Sequence, residues 1–430
     1  MMWRNLRCRA RRAVLPLAVV GLAAAVLAVL FYRLPDVSRA LSIATPPVAP
    51  PAREPPFRAF VESLWPEAAR KGIGRVTFDR ALGEVEPDLA LLEQLQVQPE
   101  YEKTTGEYLA ALVSEERIAQ GRAKLAEHAA LLARIEARYG VAASALIAVW
   151  GIESDYGREM GGYQVPRTLA TLAFRNARRA PFWKAELIAA LTILERGDIA
   201  LPAMTGSWAG AMGHTQFMPS TFLQFAVDFD NDGRRDIWRS APDALASAAN
   251  YLKAKGWQAG EPWGFEVLLP AGFNFELAGL STVKPFGDWQ QLGLRRPADI
   301  PWPHSERAWS VLLPSGAQGP AFLVSGNFNA ILRYNNSASY ALAIGHLSDR
   351  VAGAEASSTR WPDAGHRLTR PQKQELQQLL QLRGYNTGAL DGMIGEQTRG
   401  AVRLYQKAEG LPPDGYPSLE VLQRLRGPPR

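Results

Sequence analysis

Leu146, Ile147, Val149, Trp150 and Ile152 form a strongly apolar helical run that ends on a single carboxylate, Glu153. A helix without a broad polar side has to be covered by other parts of the chain, and here it draws its terminal acid against Trp and Ile. A carboxylate held there loses hydration, so its charged form is penalised and its pKa is expected to rise. That is how a carboxylic acid stays protonated near neutral pH, ready to give a proton to a leaving oxygen. Taken alone, Glu153 also reads as a partly exposed residue at a helix end.

About fifty residues on lies Gly206-Ser207-Trp208-Ala209-Gly210-Ala211-Met212-Gly213-His214-Thr215-Gln216-Phe217-Met218-Pro219. Its small residues let backbone approach a ligand closely, and Ser207 and Gln216 offer hydrogen-bonding groups. An acid beside a Gly-lined, aromatic-rich segment points to glycosidic bond cleavage. Two-carboxylate glycosidases place a nucleophile or base opposite the acid. The nearest candidate is Asp155, but two residues on it faces another side of a helix and reads as a cap or ion-pair partner. The residue pattern by itself leaves a one-carboxylate, non-hydrolytic route and lysozyme-type hydrolysis both open.

The segments Val149–Gly157 and Gly206–Pro219 together resemble the membrane-bound lytic transglycosylase B family, enzymes that cleave the glycan strands of bacterial peptidoglycan. The resemblance runs from about Phe57 to Asp349. It implies a mainly α, α+β protein with a lysozyme-like helical catalytic domain. It implies non-hydrolytic cleavage that leaves 1,6-anhydro ends, with Glu153 as the single acid and base and no cofactor required for the chemistry. It carries Ser207 and Gln216 to positions beside the acid, and Tyr251, Tyr334 and Tyr340 to aromatic positions of the groove, with Asn335 adjoining. Aromatic faces suit the apolar faces of sugar rings. Arg178 and Arg179 match a basic pair suited to the lactyl or peptide carboxylates. His214 stands where the family varies and is assigned no role.

A third motif is Asp228-Phe229-Asp230-Asn231-Asp232-Gly233-Arg234-Arg235-Asp236. Carboxylates at loop positions one, three, five and nine with Gly at six follow an EF-hand calcium loop, and Arg234 would lend its carbonyl at seven. Position twelve is Arg239 instead of the bidentate Glu. The resemblance implies a variant loop whose last carboxylate comes from further on, where Asp243 stands, and so a structural Ca2+.

The chain of 430 residues carries a net charge of +6, and the six arginines of residues 1–33 account for all of it. The remainder is balanced, which argues against nucleic acid as a partner. Five of those arginines precede the apolar run Ala13–Tyr32. That length suffices to span a bilayer, and arginines ahead of it keep the N-terminus cytoplasmic. Residues 1–33 are therefore read as an uncleaved membrane anchor, with a cleaved signal peptide as the alternative, and the protein as periplasmic. The single cysteine, Cys8, lies before the span, so no disulfide framework forms beyond it.

Residues 34–56 form a Pro-rich linker and 57–351 the catalytic domain. Within the latter, helical spacing holds to about Gly260, with helices expected over Phe182–Glu195 and Ala244–Lys255. Trp309–Leu313 and Ala321–Val324 read as a hairpin in a small α+β subdomain, and helix returns from Asn329 to about Val351. Residues 352–365 read as a second linker. Residues 366–430 form a compact unit with Leu376, Leu379, Leu380 and Leu382 on one helical face and Asp-Gly turns at 391–392 and 414–415. It resembles the small helical peptidoglycan-binding module appended to many wall enzymes. The expected partners are peptidoglycan strands and, through the N-terminal segment, the membrane, with the protein acting as a monomer.

Overall fold

The computed structural model describes residues 56–91, 103–176, 179–362 and 368–427. The proposed anchor and all but the last residue of the Pro-rich linker lie outside these. Among the described residues, no single helix is long and apolar enough to cross a membrane.

Three short helices open the fold: α1 (Phe57–Ser63), α2 (Trp65–Arg70) and α3 (Arg75–Leu82). Helices α4 (Thr105–Leu112), α5 (Glu115–Glu127) and α6 (Ala129–Tyr139) follow. The apolar spacing through Leu109, Leu112 and Ile118 thus spans two helices. The break falls at Ser114, whose hydroxyl accepts the Arg117 N–H at 3.2 Å as an N-cap. Next comes α7 (Ala143–Ser154), in which every residue from Ala145 to Gly151 is buried. It packs against α5, α6, α11 (Ala241–Ala254) and α14 (Ala338–Val351), so the apolar run is the central helix of the main core.

Beyond α7, strand β1 (Tyr163–Gln164) pairs antiparallel with β2 (Thr205–Gly206). Between them run α8 (Val165–Arg175) and α9 (Ala180–Arg196), which pack on each other, and α10 (Pro219–Phe225) follows β2. Helix α9, covering the expected Phe182–Glu195, ends at Gly197 in the left-handed region. Bridges from Met212 to Gly206 and Phe217 fold the glycine-rich segment back on β2.

The α+β subdomain has one antiparallel sheet of order β3-β6-β5-β4: β3 (Gly264–Val267), β4 (Lys284–Pro285), β5 (Ala308–Leu312) and β6 (Ala321–Val324). The expected hairpin is β5–β6, with Leu312 opposite Phe322. Its own core gathers Trp289 and Phe286 of α12 (Phe286–Gln291) with Trp309, Val311 and Leu323.

Helix does not run unbroken from Asn329 to Val351. It stops as α13 (Gly326–Leu332) and restarts as α14, where the Ser337 hydroxyl caps the Tyr340 N–H at 3.3 Å. Asn and Ser compete for backbone groups in a helix interior and favour such ends. Tyr334 and Asn335 lie in this break.

Residues 358–361 are docked on the body. The Glu266 carboxylate accepts the N–H of Ser358 at 2.7 Å and of Thr359 at 2.8 Å, and Trp361 stacks on Phe322. The last unit packs α15 (Arg370–Leu382), α16 (Glu396–Ala408) and α17 (Leu419–Arg426) around Leu376, Leu380, Val402 and Leu422. Leu382 does not share that face; it is 82% exposed, because two residues beyond Leu380 it points to the opposite side of the helix.

Candidate active site

Glu153 occupies the penultimate position of α7, half-buried at the end of the apolar run. The chain turns sharply there. Asp155, Tyr156 and Gly157 take positive φ values of 50°, 59° and 86° in succession. Such backbone is costly for non-glycine residues and persists where surroundings over-determine it. Tyr156 is held by its hydroxyl, which donates to the Arg117 carbonyl at 2.7 Å, and by an edge-on contact with Trp150. Asp155 caps α7 and is gripped by Arg158 and, at 3.4 Å, by Arg117. It is the ion-pair partner that its spacing suggested.

The tyrosines converge on this end from the other half of the domain. The Tyr340 hydroxyl donates to Glu153 Oε1. The Tyr334 hydroxyl donates to the Thr215 carbonyl at 2.7 Å. Burial first, and then the negative charge of Glu153, push both phenols well above their ordinary range, so they remain protonated donors. Tyr251 donates to the Arg333 carbonyl and packs edge-on against Tyr334 and Phe225. Tyr251 is 7% exposed and Tyr340 only 2%. Neither presents a free ring face, contrary to the expectation for groove aromatics. Their hydroxyls have found partners inside the protein, which keeps the rings in the supporting layer; Tyr334 is the half-exposed ring of the three.

The glycine-rich segment closes the arrangement. Ser207 Oγ accepts the N–H of Ala211 at 3.1 Å and of Ala209 at 3.3 Å, holding a tight turn. Gln216, at φ 48°, donates through Nε2 to the carbonyls of Met160 at 3.1 Å and Gly213 at 2.9 Å. Its amide therefore ties this turn to the chain just after Glu153. Among the described residues, three of the five non-glycine positive-φ residues (Asp155, Tyr156 and Gln216) sit in these two turns.

His214, to which no role was assigned, is also in contact. Its Nδ1 accepts the Trp150 indole N–H at 3.0 Å, and its carbonyl accepts the Ser154 hydroxyl at 2.6 Å. Burial pushes the imidazole below its ordinary pKa, so it stays neutral and able to accept. No spacing rule could have found it, because its partner lies 64 residues away. The buried Glu186 was missed for the same reason. It accepts the Ser220 N–H at 2.9 Å and hydroxyl at 2.6 Å, fixing the start of α10 behind the turn.

Asn335 is half-buried beside Tyr334. Arg179 lies at the start of α9 with its guanidinium over the rings of Phe182 and Trp183, at 4.5 and 4.9 Å. Arg178 falls outside the described residues.

In the acidic loop, oxygens of Asp228, Asp230 and Asp232 lie within 4.8 Å of one another. The other two acids do different work. Asp236 accepts the N–H groups of Trp238 and Arg239, each at 2.9 Å. Asp243, fully buried and pushed up in pKa by that burial, accepts the N–H of Phe229 at 2.7 Å and of Asp236 at 2.9 Å. It fastens both ends of the loop to α11.

A family described as Transglycosylase SLT domain matches residues 56–349. The chain belongs to this family. Residues 369–425 match a peptidoglycan binding domain. Membrane-bound lytic murein transglycosylase B of Escherichia coli (strain K12) is 36% identical over 227 residues, half of this chain. The match spans 58% of that relative's length. Among solved structures, SltB3 from Pseudomonas aeruginosa in complex with NAG-anhNAM-pentapeptide is 50% identical, with a TM-score of 0.83 over 86% of this chain and 99% of that one. Escherichia coli Slt35 in complex with calcium is 29% identical, with a TM-score of 0.59 over 70% of this chain and 94% of that one. These neighbours share the lysozyme-like helical fold with a small antiparallel sheet that the sequence led us to expect.

Proposed function

We propose that this chain is a lytic transglycosylase of peptidoglycan, cleaving the MurNAc-(β1,4)-GlcNAc bond with Glu153 as its one acid and base. The observation that carries the reading is the state of the two carboxylates at the end of α7. Glu153 accepts from a phenol, whereas Asp155 is bound to two arginines. A paired, cationically clamped carboxylate is a poor nucleophile, which favours the one-carboxylate route over double displacement. Glu153 gives its proton to the glycosidic oxygen as the C1–O bond breaks. The same carboxylate then takes the proton of the C6 hydroxyl, whose oxygen closes on C1 to form the 1,6-anhydro ring. No water enters, and Glu153 ends the cycle protonated. The Tyr340 hydroxyl steadies the ionised form between the two transfers.

Ser207, Gln216, Tyr334 and Asn335 border the reacting sugars in this reading, and Arg178 and Arg179 meet the lactyl or peptide carboxylates. Residues 57–351 perform the cleavage and 366–430 hold the polymer. The Arg-rich, apolar N-terminus anchors the protein, acting as a monomer, to the periplasmic face of the inner membrane. Mass spectrometry of digested peptidoglycan tests the reaction. Anhydro ends are expected; reducing ends would make it a hydrolase, and undigested glycan a binding scaffold.

We also propose a structural Ca2+ on the acidic loop. Three carboxylates this close repel one another, and a hard divalent cation relieves that repulsion. Asp228, Asp230 and Asp232 would supply side-chain oxygens and Arg234 a carbonyl, while Asp236 and Asp243 hold the loop's shape through backbone N–H groups. The ion would brace the turn at 213–216, since the His214 N–H donates to the Ile237 carbonyl at 2.9 Å just past the loop. Thorough chelation is expected to lower Tm and Ca2+ to restore it, the ion adding about 2.7 kcal/mol of stability at a hundredfold excess over Kd. A melting curve indifferent to millimolar Ca2+ would remove the ion from this account.

A further inference from the structure

Among the described residues, four side-chain hydrogen bonds link the turn at 213–216 to the rest of the domain, and the His214 ring is the turn's own side chain that meets α7. Gln216 ties the turn to Met160, and the Ser154 hydroxyl binds the His214 carbonyl. The Tyr334 hydroxyl holds the Thr215 carbonyl from the opposite side. The fourth is the His214 ring, which accepts the indole N–H of Trp150 at 3.0 Å, edge-on to the indole.

We propose that His214 is a positioning residue, its ring locking the Gln216 turn to the catalytic end of α7 through Trp150. The proposal rests on Glu153 being the acid. Three observations support it. The space for the ring is made by Gly157: at that position, φ is +86° and a Cβ would stand 2.3 Å from the imidazole. The sharp turn after Glu153 and the His214 ring therefore fit only as a pair. Trp150 lies one helical turn before Ser154 on α7 and is 3% exposed, so little of the side chain can reach water as an alternative acceptor. A buried donor without an acceptor is costly, and the neutral imidazole supplies one. The main chain of His214 is occupied as well, its N–H at Ile237 and its carbonyl at Ser154, so the Cα that carries the ring is held from both sides.

An acid and the groups that position its substrate must hold their separation closely, because a misplacement of about 1 Å costs on the order of a hundredfold in rate. Loss of the ring is expected to fall on kcat more than on KM, since the binding residues themselves remain.

The test uses the full chain and a soluble glycan fragment. His214→Ala is expected to lower kcat about tenfold or more with little change in KM, and His214→Gln, whose amide oxygen can accept the indole N–H, to recover most of the loss. Trp150→Phe, which removes the donor and keeps an aromatic ring, is expected to lower kcat as His214→Ala does. The double variant should be no slower than either single one, since both delete the same bond. In NMR, the Trp150 indole N–H is expected to move upfield in His214→Ala and return in His214→Gln. If the alanine variant does not fold, His214→Phe fills the same space without an acceptor and replaces it. Wild-type kcat in His214→Ala, or losses that simply add in the double variant, overturn the proposal. Failure of Glu153 as the acid would show separately, as activity retained in Glu153→Gln. The indole resonance reports the clamp whichever way the bond is cleaved.

Discussion

The active site and the C-terminal unit are built by opposite means. At the active site the deciding contacts are distant in sequence: Tyr340 reaches Glu153 across 187 positions, and Tyr334 reaches Thr215 across 119. In the C-terminal unit they are short. Buried Gln377 accepts the Gly392 N–H at 2.8 Å from 15 positions away, and buried Gln406 accepts the Gly415 N–H at 2.8 Å from 9 away. Each Asp-Gly turn is thus pinned by one glutamine on the helix before it. The difference separates a unit that organises itself from a site that exists only when the whole domain has closed. The two are joined by a small contact: Asp414 Oδ2 accepts the Ala317 N–H at 2.7 Å, over Gly316, where φ is +70° and a side chain would collide with that carboxylate.

The sharpest break in this comparison is Glu153→Gln. Cleavage is expected to fall by at least ~10²–10⁴ while Tm and retention on insoluble peptidoglycan stay at wild-type levels. Retention of more than about a tenth of the activity would remove Glu153 from its role.

Tyr340→Phe comes next. It deletes one hydrogen bond to a carboxylate and almost no volume, so it is expected to cost about 1.5–3 kcal/mol, read as roughly a ten- to hundredfold loss in kcat. A variant as fast as wild type would show that the phenol serves packing alone.

Gln406→Ala probes the other side. It leaves the Gly415 N–H without its acceptor in a small core, an expected loss of about 1–3 kcal/mol confined to the C-terminal unit. Retention on insoluble wall should weaken while soluble glycan is cleaved as before. Removal of residues after Pro362 should do the same. Removal after Ala352 also strips Trp361 from Phe322 and should lower the Tm of the catalytic body. Equal melting of the two truncations would show that the docked strap contributes nothing.

The last effect is a pH slope. Asp349, half-buried beside Trp263, whose indole N–H donates to it at 2.9 Å, is pushed up to about 7, chiefly by loss of hydration. Its folded pKa is raised, so its contribution is complete below the unfolded carboxylate range and is lost as pH rises through about 7. Between about pH 4 and 7 stability should fall by at most about 1.4 kcal/mol per pH unit from this group. Asp349→Asn keeps an acceptor for Trp263 and is expected to flatten that part of a Tm–pH profile; an unchanged slope would assign it to other groups.

Much of this was legible in the sequence because it is local. The apolar run of α7, the β5–β6 hairpin, the glycine stop of α9, the Asp-Gly turns and the spacing of the acidic loop are all written within a few residues, where periodicity and turn chemistry act. The break between α13 and α14 was missed because the apolar pattern continues through it, although the Asn-Asn-Ser run carried the signal.

The sequence by itself determined which acid ends a buried helix, which small residues can crowd it and which turns close the last unit. Only the tertiary structure decided what those groups touch. It turned Tyr340 onto Glu153, sank Tyr251 beneath Tyr334, gave Asp155 to two arginines and set His214 against Trp150. It also split the acids of the loop into three that converge and two that hold its backbone. The physical reason is that a polar group in a closing core takes whichever partner packing brings within about 3 Å, and that partner is chosen by helices far apart in the chain.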